Sequence, residues 1–237
     1  MSNPGLTLDQ RRQASRERDT LRHETFPTLG SVESVLHIPM RDGYQSETRV
    51  FKPANPPASG SPLVVLMYGG GFVIGVNLQM SSFARALTYL YGATVVSLSY
   101  RLAPEHKFPT APHDAWDSTQ WLAEHAPKEL GVNLSAGFVL GGVSAGANLS
   151  IVIAHKALKE KLAAPITGIW ACVPPTLSEE VVPDEKRLLN QYTSKLCPVT
   201  FLSMLVHMYP NPVSLASRIP RTSRFPRRMV NRYSRSS

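Results

Sequence analysis

Cysteine is nearly missing from these 237 residues: only Cys172 and Cys197 occur, 25 positions apart. That is too few for a disulfide scaffold, and neither sits in a C-x-x-C spacing suited to zinc or redox work. Long apolar runs are missing too. Pro62 to Met67 and Ile151 to Ala154 fall far short of the roughly 18 to 20 residues a membrane span needs. No basic, apolar, small-residue leader opens the chain. The sequence therefore predicts neither a membrane span nor conventional secretion, and a reducing compartment, the cytoplasm, is expected. No H-x-x-x-H pair supports a metal, and no internal repeat or low-complexity segment occurs before residue 213.

Acidic residues are missing from one stretch only. Residues 213–237 carry seven arginines (Arg218, Arg221, Arg224, Arg227, Arg228, Arg232 and Arg235) and no Asp or Glu, so the net charge of +8 comes almost wholly from this tail. The first 212 residues hold 18 basic against 17 acidic side chains and are electrostatically ordinary. Only Phe225 and Tyr233 are aromatic in the tail, a poor supply for stacking bases, so no specific nucleic acid is expected. Its close, Arg235-Ser236-Ser237, does not match a peroxisomal S-K-L address. Residues 213–237 are read as a basic, disordered tail.

What is present is a rhythm. Thr7-Leu8-Asp9-Gln10 reads as a capping box opening a polar helix to about Arg22. Short β-prone runs at Val32 to Pro39 and Thr48 to Phe51 flank the turn signal Arg41-Asp42-Gly43-Tyr44, which predicts an antiparallel hairpin. Beyond the Pro- and Ser-rich loop Lys52 to Pro62, unbroken apolar runs recur at Leu63 to Tyr68, Ala93 to Leu98, Gly137 to Gly141 and Ile166 to Val173. These read as strands buried on both faces. Helical stretches at Ser81 to Leu90, Pro112 to His125 and Ala147 to Lys159 separate them. Strand and helix in alternation imply an α/β fold with a mostly parallel central sheet and helices on both faces.

Two glycine-rich turns carry chemistry. A buried strand runs into Gly142-Val143-Ser144-Ala145-Gly146, and the next residues open a helix; this is G-x-S-x-G in its strand-turn-helix setting. A side chain forced onto so sharp a turn is exposed at the carboxyl edge of the sheet, and only small neighbours allow the backbone to fold so tightly. Ser144 is the candidate nucleophile, with the positive end of a helix dipole beneath it. The second turn, Tyr68-Gly69-Gly70-Gly71-Phe72, ends another strand with glycines that can present backbone N–H groups to a substrate oxygen.

Together with Tyr100-Arg101-Leu102-Ala103-Pro104-Glu105-His106 and Ala147-Asn148-Leu149, these blocks resemble, in order and spacing, the signatures of hormone-sensitive-lipase-like esterases of the α/β-hydrolase superfamily, over about Val32 to Pro212. The set is also similar to hydrolases of fungal secondary-metabolite and toxin pathways. The resemblance implies carboxylic-ester hydrolysis of a small-molecule substrate, with no cofactor. It implies Ser144 as nucleophile and the N–H groups of Gly70, Gly71 and Ala145 as the oxyanion hole. It further implies a domain plan of an N-terminal cap helix segment (1–30), a hydrolase domain (31–212) and a partial second cap piece around Thr176 to Tyr209.

Two departures stand out. The family loop begins with His where this chain has Tyr68, so a phenol must make the orienting hydrogen bond. The family also places its acid in a D-P-L-R-D-like block and its base in an H-G-F-like block, and neither occurs here. The chain is therefore expected to hold a C-terminally truncated fold of about six strands, with self-association through an exposed sheet edge. Substitute bases are His106, His113, His125, His155 and His207, and substitute acids are Asp114, Asp117 and Asp184. Most of these read as helix-surface or core-satisfied groups. Two alternatives stay open: an inactive remnant or acyl-binding pseudoenzyme, and binding of anionic surfaces through the tail.

Overall fold

The computed structural model describes residues 5–175. The Thr176 to Tyr209 cap piece, His207, Asp184 and the arginine tail lie outside the described residues. The element order is α1 (Leu8–Thr25), β1 (Ser31–Pro39), β2 (Gln45–Pro53), β3 (Leu63–Met67), α2 (Ser81–Tyr91), β4 (Thr94–Leu98), α3 (Thr110–Leu130), β5 (Phe138–Val143), α4 (Ala145–Ala157) and β6 (Gly168–Cys172), with a 3-10 turn at Asn77–Met80 before α2.

Local chemistry explains the first elements. At the start of α1 the Gln10 amide N–H donates to Thr7 Oγ1 at 3.2 Å and the Thr7 N–H donates to Gln10 Oε1 at 2.9 Å, a complete capping box. The hairpin forms as expected and pairs β1 with β2 from Ser31 opposite Pro53 to Pro39 opposite Gln45. Its turn closes through the Gly43 N–H on the Met40 carbonyl at 2.9 Å.

The sheet order is β1-β2-β4-β3-β5-β6. β1, β2 and β4 pair antiparallel, whereas β4, β3, β5 and β6 are parallel. β3 connects through α2 toward one side of the sheet, and β5 connects through α4 toward the other. With right-handed crossovers this puts α2 on one face and α3 with α4 on the opposite face; α3 packs on α4, and α1 lies beside α2. β3 and β5 are neighbours whose connections diverge, and the crevice outside their carboxyl ends is where a parallel sheet opens a ligand site.

The expected helices are longer or shifted where packing decides. α3 runs from Thr110 to Leu130 rather than Pro112 to His125, and continues through Pro127. Ala126 and Leu130 are buried beyond the expected end, so burial of that face outweighs the hydrogen bond lost at the proline. β6 departs from the expectation of a strand buried on both faces: it is the outer strand of the described sheet, and Ile169 and Trp170 are exposed. Between β6 and α4 lies an open apolar groove of about 720 Å³, lined by Ile151, Leu158, Leu162, Ile166 and Ile169. Among the described residues no helix is long and apolar enough to cross a membrane.

Polar contacts fasten α1 to this body. Arg85 of α2, almost fully buried, pairs with Glu33 at 2.6 Å and donates to the carbonyls of His23 and Phe26 at 2.7 and 2.5 Å. His23 Nδ1 lies 3.2 Å from an Arg85 nitrogen and 3.0 Å from Ser81 Oγ. An arginine only donates, so Nδ1 is the acceptor and must be unprotonated. Burial lowers the His23 pKa below its ordinary 6.5, with Glu33 opposing and Arg85 reinforcing the shift. The unfolded chain therefore takes up a proton at His23 first as pH falls. The stabilisation from this cluster is full above pH 6.5 and declines as pH drops below that value toward the lower folded pKa. Urea unfolding across about pH 8 to 5 should show this loss, and His23→Asn should flatten that part of the profile.

Candidate active site

The two glycine-rich turns meet at the carboxyl ends of β3 and β5. Ser144 caps α4 with φ 53° and ψ −116°, a region disfavoured for a residue with a side chain and typical of strained functional turns, at a cost of about 1 to 3 kcal/mol. Its neighbours hold it there. The Ser144 N–H donates to the Cys172 carbonyl on β6 at 2.9 Å, and its own carbonyl accepts from the Asn148 N–H at 2.9 Å. The Asn148 side chain in turn donates to the Pro175 carbonyl at 2.7 Å.

The approach of α4 to β3 leaves no room for side chains. A β-carbon on Gly146 would stand 2.1 Å from the Met67 carbonyl oxygen and 2.5 Å from that of Tyr68. A β-carbon on Gly69 would stand 2.9 Å from the Val143 carbonyl oxygen and 3.3 Å from Ser144 Cβ. The triple-glycine segment thus lies directly against the serine turn.

The loop after β3 is oriented by tyrosines. Tyr68 and Tyr100 are buried and stacked, ring centroids 4.3 Å apart. Tyr68 Oη donates to the Tyr100 carbonyl at 3.0 Å, and Tyr100 Oη donates to the Tyr68 carbonyl at 2.8 Å. The phenol in place of the family histidine therefore makes an orienting bond, and makes it reciprocally. The Gly69 N–H donates to Gln79 Oε1 at 2.7 Å, and the Gly70 carbonyl accepts from the N–H groups of Val73 and Ile74 at 3.2 and 3.0 Å. Among the described residues, the N–H groups of Gly70, Gly71 and Ala145 donate to no acceptor.

Arg12 of α1 reaches the same loops. It donates to the carbonyls of Val73 and Ala103 at 2.8 and 2.7 Å and grips Glu105 with two nitrogens at 2.7 and 2.8 Å. The guanidinium holds the Glu105 carboxyl at about 2, against an ordinary 4.5. Sequence reading missed Arg12, Gln79 and the partner role of Tyr100; only Tyr100 carried a signal, its place in a signature block.

The two substitute acids among the described residues, Asp114 and Asp117, are already engaged. Asp114, fully buried, accepts from the Arg101 backbone N–H at 2.9 Å and its guanidinium at 2.7 Å, while Asp42 takes the other side of that guanidinium at 2.6 Å. Asp117 binds Arg41 through both oxygens, Oδ1 accepting from Nη2 at 2.6 Å and Oδ2 from Nε at 2.9 Å. Both pair with arginines from loops rather than along their own helix. Of the histidines, His125 stacks on Trp121 and bonds to its carbonyl. His155 lies eleven residues into α4, about 16 Å along the axis from Ser144. His106 and His113 are exposed. Among the described residues none hydrogen-bonds to the Ser144 hydroxyl.

A doubly wound, mostly parallel sheet with a strained serine turn after β5 and a glycine loop after β3 is the architecture of the α/β hydrolases. A family model described as alpha/beta hydrolase fold matches residues 64–225, and the chain belongs to that family. It is 42% identical over 149 residues to AB hydrolase superfamily protein B1A11.02 of Schizosaccharomyces pombe, covering 63% of this chain and 43% of that protein. It is 31% identical over 147 residues to the versiconal hemiacetal acetate esterase of Aspergillus parasiticus, covering 62% and 43%. Among solved structures, an esterase from Pyrobaculum calidifontis superposes with a TM-score of 0.71 at 27% identity, covering 88% of this chain and 66% of that one. The chain thus spans less than half the length of these two curated relatives.

Gly146→Ala should disrupt the junction of the two turns. The added methyl meets backbone rather than a side chain that could move, so a loss of about 1 to 3 kcal/mol is expected in denaturant unfolding. An unchanged midpoint would show that the turns do not meet as described.

Proposed function

We propose that the protein is a carboxylic-ester hydrolase in which Ser144 is the nucleophile and the N–H groups of Gly70, Gly71 and Ala145 form the oxyanion hole. The observation that carries this reading is the close approach of Gly69 to the Val143 carbonyl and to Ser144 Cβ, which presses the loop that holds the unengaged Gly70 and Gly71 amides against the turn that carries Ser144. Ser144 Oγ attacks the acyl carbon and gives up its proton to a general base. The carbonyl oxygen becomes an oxyanion held by the three amides, and collapse expels the alcohol to leave an acyl-enzyme that water hydrolyses. Each oxyanion donor contributes about 3 to 4 kcal/mol to the transition state. In this reading the base is supplied from outside residues 5–175; among the described residues no histidine hydrogen-bonds to the Ser144 hydroxyl.

α1 serves in this reading as the N-terminal cap, clamped over the site loops by Arg12. The relative named for versiconal hemiacetal acetate supports a finer reading, that the substrate is a small acyl ester of a secondary metabolite, as in a toxin pathway.

The test is covalent labelling with a fluorophosphonate together with release of a chromogenic short-chain ester. Labelling of the wild-type chain at Ser144, abolished in Ser144→Ala, is the expected result. Turnover in that variant should fall toward background, by as much as about 10⁶-fold if a complete proton relay operates. Ester binding without turnover, and rates indifferent to Ser144→Ala, would make the protein an acyl-binding pseudoenzyme instead.

A further inference from the structure

The loop after β3 is held by its carbonyls, and a planar trans peptide makes that decisive for its donors. Within one peptide unit the C=O of a residue and the N–H of the next point in opposite directions, so fixing an oxygen aims the following N–H. Tyr100 Oη fixes the Tyr68 carbonyl at 2.8 Å, and the Gly69 N–H accordingly faces away from Tyr100, where Gln79 Oε1 accepts it at 2.7 Å. The N–H groups of Val73 and Ile74 fix the Gly70 carbonyl, which aims the Gly71 N–H. Between them lies the peptide joining Gly69 to Gly70. Its carbonyl accepts from Gln79 Nε2 at 3.4 Å, the long but only side-chain bond to that oxygen among the described residues.

We infer that Gln79 is a positioning residue for the oxyanion loop: its carboxamide accepts from Gly69 and donates to the Gly69 carbonyl, so that the Gly70 N–H is aimed at the developing oxyanion. The inference rests on the proposed hydrolase reading and adds to it a residue ten positions beyond the loop. Both halves of the amide are used, which neither Glu nor an apolar residue can reproduce at neutral pH. The turn that carries Gln79 is itself anchored. Asn77 Nδ2 donates to Ser99 Oγ at 3.1 Å and to the Glu47 carbonyl at 3.3 Å, and Ser97 Oγ donates to the Asn77 carbonyl at 2.7 Å. The amide of Gln79 is thereby referenced to β2 and to β4 with the residue that follows it.

The experiment compares the rate of fluorophosphonate labelling in the wild type, Gln79→Glu and Gln79→Met, with thermal unfolding to establish that each is folded. In labelling, the Ser144 Oγ–P bond forms as the P–F bond breaks, fluoride leaves and the hydroxyl proton is lost. Negative charge on the phosphoryl oxygen reports the oxyanion hole. At about pH 8 both variants should label tenfold to a hundredfold more slowly. The fall should lie in the maximal rate rather than in the reagent concentration giving half of it. A carboxylate accepts from Gly69 but repels its carbonyl, and a carboxylic acid donates again. The ratio of Gln79→Glu to wild type should therefore recover as pH falls through the carboxyl range, while that of Gln79→Met stays low. Equal, pH-independent losses in the two variants would reduce Gln79 to an anchor and overturn the inference. So would folded variants that label at the wild-type rate, a result that leaves the hydrolase reading intact. A wild-type chain that does not label at Ser144 overturns both. Amide exchange in the wild type needs no variant to fold: Gly69 should exchange slowly and Gly70 and Gly71 quickly, and a fast Gly69 amide would overturn the inference.

Discussion

The backbone of the first turn of α4 lies against the last residues of β3 with no side chain between them. The space a β-carbon would need at Gly146 is occupied by the carbonyl oxygens of Met67 and Tyr68. Everything at the site depends on this approach. It sets the height at which Ser144 emerges, it puts the positive end of the helix beneath that residue, and it presses the glycine loop after β3 against the turn after β5. Glycine at 146 is required here for space rather than for flexibility. The strain recorded at Ser144, φ 53° without a glycine, is held by bonds on both sides of the residue, to Cys172 on one strand and Asn148 on the helix.

A loop of three glycines has no intrinsic reason to keep one shape, since it gives up more backbone freedom on folding than other sequences do. Its order comes from outside. Tyrosines at the ends of β3 and β4 exchange hydrogen bonds across a stacked pair, and Arg12 arrives from α1 to take the Val73 and Ala103 carbonyls. The glycines permit the approach, and the surrounding side chains select one conformation from the many that glycine allows. Replacing the family histidine with Tyr68 keeps the orienting donor and adds stacking area, so the departure changes the means of anchoring more than its result.

Elements whose cause is local were legible in the sequence. The capping box at Thr7 and Gln10 and the turn around Gly43 need only their near neighbours, and both form where expected. Ser144 and the glycine loop were legible because each is a short pattern in a strand-to-turn setting. The end of α3 was not legible, because Pro127 signals a stop by local rules and only the buried face formed by Ala126 and Leu130 overrides it. The partners of Asp117 and Gln79 were hidden for the same reason. Arg41 is 76 positions from Asp117, and whether Gln79 faces a peptide depends on how its turn is carried by β2 and β4. No spacing rule encodes such a meeting.

The division of charge across the body bears on what kind of catalyst it frames. Asp114, Asp117 and Glu105 each satisfy an arginine, and in the case of Asp114 the pair is withdrawn from water. Removing one partner of such a buried pair strands the other at a cost of about 3 to 5 kcal/mol, so Asp114 is committed to holding its loop, and all three carboxylates, already paired with arginines, are poor candidates to orient a base. On the proposed reading, the described residues assemble the electrostatic half of an acyl-transfer site, backbone amides and a helix end at the junction of two turns, separately from the proton-transfer half. Those halves differ in weight. Oxyanion stabilisation and binding alone supply about 10³ to 10⁴ over water, while the relay supplies most of the rest. On the proposed reading, residues 5–175 therefore form the part of the enzyme that recognises charge development, and a base added from beyond them would act on a frame already in place.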